Sequence, residues 1–286
     1  MRQQSSSGMT AVWLAVVVGI LIGSGSVRAD FVFGERTHLG SAINSPVEDA
    51  QPSISADGIS LFFFSERSGG AGGRDIWVAR RATMNDAWTT LENVGPPVNT
   101  PYQDSGPDIS ADGLTLFFDS DRPGGSGESD IWVTTRTTKS DPWGTPVNLG
   151  PTVNASSYDA YPSVSMDGLT LFMQSNRTGG YGKHDIWMTT RRTKDDPWTT
   201  PVNLGATVNS LAIEGDPAIS PDGLALFFTS LQPGGYGIAD LYLVRRATTQ
   251  DSWGLSMNLG PMVNSSSAQG NASISADGLI LYFAFG

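Results

Sequence analysis

Residues 107–136 read PDISADGLTLFFDSDRPGGSGESDIWVTTR, and near-copies begin at Pro52, Pro162 and Pro217, with a shortened copy at Ala272. Successive copies are offset by 55 residues without a gap. A unit of this size repeated at constant period cannot bury its apolar face alone and must be covered by its neighbours. The period therefore dictates a closed or stacked array before any single element is assigned.

Inside the unit, Asp112-Gly113 suits a two-residue type I′ hairpin turn, and Asp57-Gly58, Asp167-Gly168, Asp222-Gly223 and Asp277-Gly278 repeat it. A short strand, Asp108 to Ser110, precedes the turn. Leu114, Leu116 and Phe118 follow it at the strand period, on a strand that is half-buried or better. A Pro- and Gly-rich loop over 122–129 leads to Ile131-Trp132-Val133-Thr134, whose β-branched and aromatic residues favour a third strand. A polar turn over 138–142 then precedes a fourth strand from Trp143 to Leu149. Four short antiparallel strands per unit describe the blade of a β-propeller, so the expected fold is all-β.

Four complete units span 52–106, 107–161, 162–216 and 217–271. The two remaining fragments complement each other. In 30–51, Phe33-Gly34, Leu39-Gly40 and Asn44 match Trp143-Gly144, Leu149-Gly150 and Asn154, so this stretch is a fourth strand. Residues 272–286 supply a first and a second strand. Together they predict a five-bladed ring whose closing blade is shared between the termini, which leaves no sheet edge open. Its third strand is missing, so the closing blade is expected to be one strand short. A chain continuing past Gly286, or an edge completed by another chain, is the competing outcome.

Arg2 followed by a mostly apolar run from Met9 to Ile22, with Val27-Arg28-Ala29 beyond it, reads as a secretory signal over 1–29. The run is too short for a stable span, so no membrane segment is expected after cleavage. Residues 30–286 then form one propeller domain, secreted or periplasmic and monomeric. The 28 acidic residues outnumber the 17 basic ones, which argues against nucleic acid as a partner. Cysteine is absent, so stability rests on packing without disulfides.

The run Ser-x-Asp-Gly-Leu-x-Leu-Phe, followed by Arg-Pro-Gly-Gly and Asp-Ile-Trp, resembles the WD40-like (PD40) propeller repeat of exported bacterial proteins, the type found in the TolB propeller. The resemblance covers 31–286 and implies an exported binding scaffold, with no catalytic residue to carry over. The sequence departs from it at Leu231-Gln232, where Asp121-Arg122 stand two units earlier, at Tyr242 in place of Trp, and at Ala272 in place of Pro.

Most repeated polar residues have structural readings. The hairpin aspartates bond their own turns. Asp75, Asp130, Asp185 and Asp240 cap the Gly-rich loop, and Asp86, Asp141, Asp196 and Asp251 shape the next turn. The second residues of Arg80-Arg81, Arg191-Arg192 and Arg245-Arg246 read with their partners as solvated strand ends or ion pairs. Seven of the eight Trp recur at two repeat positions, which reads as packing between blades.

The candidate contact surface is a channel rim where the loop entering each unit carries Asp49, Asp104, Asp159, Glu214 and Gln269 at one repeat position, with Tyr102, Tyr158 and Tyr161 beside them. Four carboxyls sharing one mouth would raise one another's pKa and attract a basic partner segment or a cation. Alternatively each caps the loop of its own blade, or pairs with Arg67, Arg122 and Arg177 of the next loop. No cofactor and no catalytic or metal-binding residue is expected. His184 replaces Arg74, Ser129 and Ala239 and reads as surface variation. Two function classes follow: a non-catalytic scaffold contacting a protein, peptide or polysaccharide, and a glycan-active enzyme. The second requires carboxylates that break the repeat, because acid and base need different environments. Glu48 is the one such residue near the rim.

Overall fold

A computed structural model describes residues 13–22 and 30–286, and every regular element among them is a strand. The first two are β1 (Trp13–Ile22) and β2 (Asp30–His38). The unit 52–106 follows as β3 (Asp49–Ile54), β4 (Ser60–Ser65), β5 (Asp75–Arg80) and β6 (Thr90–Asn93). The next holds β7 (Asp104–Ile109), β8 (Thr115–Ser120), β9 (Asp130–Thr135) and β10 (Val147–Asn148). Then come β11 (Asp159–Val164), β12 (Thr170–Ser175), β13 (Asp185–Thr190) and β14 (Val202–Asn203). The last full unit holds β15 (Glu214–Ile219), β16 (Ala225–Ser230), β17 (Asp240–Arg245) and β18 (Met257–Asn258), and β19 (Gln269–Ile274) and β20 (Ile280–Phe285) end the chain.

Each full unit is one four-stranded antiparallel sheet with its strands in chain order, a propeller blade. The second strand is buried on both faces, as Leu61-Phe62-Phe63-Phe64 illustrate, because a neighbouring blade covers each side. One apolar cluster joins Phe62, Ile76 and Val78 to Ile109, Phe118 and Trp132 of the following blade. Equivalent clusters form at the next two seams. The repeated tryptophans sit inside these seams, which confirms packing as their role.

The hairpin turn departs from expectation. Only Gly58 takes a positive φ, +69°, and its N–H donates to the Ser55 carbonyl at 2.8 Å. A type I′ turn needs positive φ at both central residues. Asp57 Oδ1 also accepts from Ser55 Oγ and the Ile59 N–H, so side chain and backbone hold the turn together. The first strand starts four residues before Asp108, at Asp104. The fourth strand contracts to Val147–Asn148.

The closing sheet corrects a larger expectation. Its order is β19-β20-β1-β2, so it has four strands, with the apolar stretch read as a leader core in third place. β1 pairs with β20 from Trp13↔Phe285 to Val18↔Ile280 and with β2 along its other edge. The proposed cleavage boundary after Ala29 lies outside the described residues. A repeated asparagine explains how so different a sequence fits. Asn99 accepts from the Ile76 N–H and donates to the Ile76 carbonyl, both at 2.8 Å. Asn154, Asn209 and Asn264 grip Ile131, Ile186 and Leu241 in the same way. Asn44 grips Leu14 at 2.9 and 3.0 Å, and Leu14 is fully buried with Ile43, Leu61 and Phe63.

Candidate functional site: the channel and its mouth

The first strand of every unit lines the central channel, and each contains a bulge. Ala50 pairs with Phe64 and Ser53 with Phe62, so Gln51 and Pro52 together face one residue. The same irregularity recurs in the other first strands. In all of them the first bulge residue has positive φ: Gln51, Gly106, Tyr161, Asp216 and Asn271. This is the left-handed conformation that a bulge of this type requires. Gly106 is obligatory there, since a Cβ would sit 2.1 Å from Asp119 Oδ1. The proline that follows has no N–H to give to a ladder, which suits it to the bulge.

The bulge separates two sets of side chains. Before it stand the predicted rim residues, and these turn into their own blades. Asp49, Asp104, Asp159 and Glu214 are buried. Asp104 Oδ1 meets Arg122 Nη2 at 2.5 Å and accepts from Ser120 Oγ, while Oδ2 accepts from the Thr100 N–H. Asp49 with Arg67 and Asp159 with Arg177 reproduce the pair. Each arginine also donates to a carbonyl of the preceding loop, Ile43, Val98 or Val153, and stacks over Trp77, Trp132 or Trp187. The shared acidic rim is therefore replaced by closed ion pairs within each blade. Glu214, facing Gln232 where the others have arginine, bonds to Ser210 and Ser230 instead. Tyr102 is exposed on its loop. The arginines after the third strands are also better placed than expected: Arg81, Arg136, Arg191 and Arg246 each lie over a tryptophan and bond a hairpin glycine carbonyl.

Residues at and beyond the bulge face the axis. At one position the chain places Ser53, Asp108, Ser163, Ala218 and Ser273, which act as latches between neighbours. Ser53 Oγ accepts from the Ile109 N–H at 3.0 Å, Asp108 Oδ2 from Val164 at 2.7 Å, and Ser163 Oγ from Ile219 at 3.1 Å. Ser273 Oγ accepts from the Ile54 N–H at 3.2 Å, joining the last strands to the first unit. Only Ala218 has no acceptor to offer.

Three carboxyls, Asp108, Asp119 and Asp216, occupy repeat positions where no other unit has an acid, a signal present in the sequence outside the rim position. Burial pushes Asp108 up to about 7, against hydrogen bonds from Val164 and Ser53. Burial also raises Asp119 to about 6, although the Tyr161 N–H and Ser105 Oγ bond to it. Asp216 is raised to about 6 for the same reason; Thr229, Asn271 and Gln51 partly offset the cost, yet its Oδ1 is left buried without a partner.

Above Asp216 the mouth is equally unlike a repeat. Arg74 bridges Glu48 at 2.8 Å and Glu66 at 3.3 Å and lies 4.6 Å from the Phe64 ring centre. Burial raises the Glu48 carboxyl. On the far side Tyr158 packs edge-on against Tyr161 and His184, and Gln174 bonds His184 Nδ1 at 2.9 Å. His184 is therefore a half-buried wall residue rather than surface variation, and burial lowers its pKa. Tyr158 and Tyr161 are held neutral, burial and nearby carboxyls raising both phenols. Ile213 and Leu231 complete the lining. Among the described residues no cluster of three or more His, Asp or Glu could hold a metal ion.

By sequence, no family model and no curated protein matches the chain. Solved structures do match its fold. A protein of Agrobacterium tumefaciens assigned to TolB aligns with TM-score 0.55 at 17% identity, over 96% of this chain and 78% of its own. The fold is a TolB-like β-propeller. TolB from Acinetobacter baumannii gives TM-score 0.53 at 13% identity, over 96% and 64%. An α-L-arabinofuranosidase from Podospora anserina, solved with cellotriose, gives 0.53 at 13% over 96% and 97%. At these identities the likeness concerns the propeller alone, and binding proteins and glycosidases share it. No helix among the described residues is long and apolar enough to cross a membrane.

Proposed function

We propose that the chain is an exported binding propeller, a five-bladed ring closed by its two ends, that receives a protein, peptide or polysaccharide at the channel mouth. One observation carries this reading: the repeated rim acids are spent inside their own blades, whereas Glu48, Arg74, Tyr161 and Asp216 depart from the repeat and line one mouth, with His184 bonded to Gln174 of the same lining. Departure from a repeat is where a site can be built without weakening the scaffold. The test compares Arg74→Ala with Lys139→Ala, which lies among the hairpin turns at the opposite end of the blades and pairs with Asp57. Capture from an envelope fraction and a glycan array should fall in the first variant and persist in the second. Equal capture by both would refute the mouth as the contact surface. Export is tested separately by N-terminal sequencing of the purified protein: a start at Asp30 would establish a cleaved leader and take β1 out of the closing sheet, whereas a chain retaining Trp13–Ile22 keeps that stretch as a strand and refutes cleavage.

A second reading is favoured by Asp108 and Asp216. Glycoside hydrolysis requires one carboxyl that stays protonated near neutral pH and another that ionises, and these two channel acids have raised pKa values at positions that break the repeat. Release of reducing ends from plant or bacterial polysaccharides, abolished by Asp216→Asn, would establish it. No release from a broad panel would remove it.

A further inference from the structure

We infer that the mouth binds an organic cation with an apolar arm, the ammonium on Asp216 and the arm along Ile213 and Leu231. The inference rests on the channel-mouth reading above and narrows it to one ligand chemistry.

Asp216 supplies the first half. Its Oδ1 is buried without a hydrogen bond, while Thr229, Asn271 and Gln51 hydrogen-bond the same carboxyl and share the mouth lining. A buried carboxylate oxygen lacking a donor is costly, and a cationic donor relieves it twice, by hydrogen bonding and by charge. Among the described residues no cation pairs with Asp216. Gln232 occupies the place where the other units have arginine, and Arg74 across the mouth is already matched by Glu48 and Glu66. Asp119 has its own donors in Ser105 and Tyr161.

The apolar wall supplies the second half. Ile213 stands where earlier units have Glu48, Gln103 and Tyr158, and Leu231 where they have Glu66, Asp121 and Asn176. The Leu231 N–H donates to the Ile213 carbonyl at 3.0 Å, which holds the pair side by side. Leu231 is 39% exposed. Among the described residues only the blade β15–β18 combines an acid that has no cationic partner with apolar neighbours, and a metal ion would use neither the wall nor a single carboxylate.

Isothermal titration of the full chain with n-hexylamine and n-hexanol at pH 8 tests the assignment. Saturable amine binding at least about tenfold tighter than the alcohol is expected, with Asp216→Asn removing that margin. Leu231→Asn should weaken the amine several-fold while leaving Asp216 in place. If Asp216→Asn does not fold, wild-type protein at pH 5 replaces it, since Asp216 and Asp119 are then protonated, Glu48 is closer to neutral and Arg74 is unchanged; amine binding should weaken there. Equal affinity for amine and alcohol, or amine binding indifferent to both substitutions, overturns the inference. Maltotriose binding that is lost in Arg74→Ala, with no amine binding, would overturn it while leaving the mouth as the binding site. No response to any probe at the mouth would count against both.

Discussion

The units 107–161 and 217–271 share a backbone plan but differ in what they hold together. In the earlier unit Asp104 is locked to Arg122, Asp108 latches the next blade, and Trp132 lies under the arginine. In the later one Glu214 has two hydroxyls and the Ser210 N–H but no arginine, Ala218 latches nothing, and Tyr242 stacks on Phe228 without an arginine above it. Both keep the asparagine grip on the third strand. The grip is thus what a blade requires, while the ion pair and the latch are additions that one side of the ring has shed. The same side carries the unmatched acid and the apolar wall, so loss of internal partners and gain of a binding surface coincide.

The contrast can be broken most sharply at the ion pair. Asp104→Asn leaves Arg122 buried beside a neutral amide and should cost about 3–5 kcal/mol, whereas Glu214→Gln, with no arginine to strand, should cost about 1 kcal/mol. Denaturant midpoints at constant slope would measure both; similar losses would mean that the arginine adds nothing. Next in size is a pH effect. Asp108 has a folded pKa of about 7, above the ordinary 3.8. The folded state therefore holds its proton more tightly, and stability is greatest at low pH and declines as pH rises from about 4 through 7. Asp108→Ser, which gives this position the residue found in three other units, should flatten the decline between pH 5 and pH 8 in thermal melts. An unchanged slope would move the titration to Asp119 or Asp216. The smallest effect concerns the latch: Ser163→Ala should cost about 1 kcal/mol, and Ala218→Ser should restore a similar amount if Oγ reaches the Ile274 N–H. A neutral Ala218→Ser would show that the fourth seam is spaced differently from the others.

How far the sequence could be read follows from the same bulge. The repeat, the four strands of each full unit and the loop-capping aspartates were legible because each depends on local chemistry copied unit by unit; the third strand of the closing sheet was not, since β1 is no copy of the other third strands. The rim was not. Asp104 and Gly106 are separated by two residues, and strand alternation puts them on one face. The left-handed residue at the bulge breaks that rule, turning Asp104 toward Ser120 and leaving the following positions on the axis. A proline inside the first strand of each full unit was the available clue, since it cannot continue a ladder. The partners of Asp49, Asp104 and Asp159 were named among the alternatives, but only the folded chain shows Arg67, Arg122 and Arg177 closing on them. Asp108, Asp119 and Asp216 were visible as lone acids in their columns; nothing in the linear spacing said that those columns line the channel.

The asparagine that holds each third strand bonds that strand only through its main-chain atoms, so it is indifferent to which side chains pass beneath it. Trp13–Ile22 shares neither the aspartate nor the tryptophan of Asp-Ile-Trp-Val, yet Asn44 receives it as Asn154 receives β9. A propeller assembled with such a fastener can duplicate, trade or diversify its sheets at small structural risk, because the joint recognises the peptide group common to every protein chain.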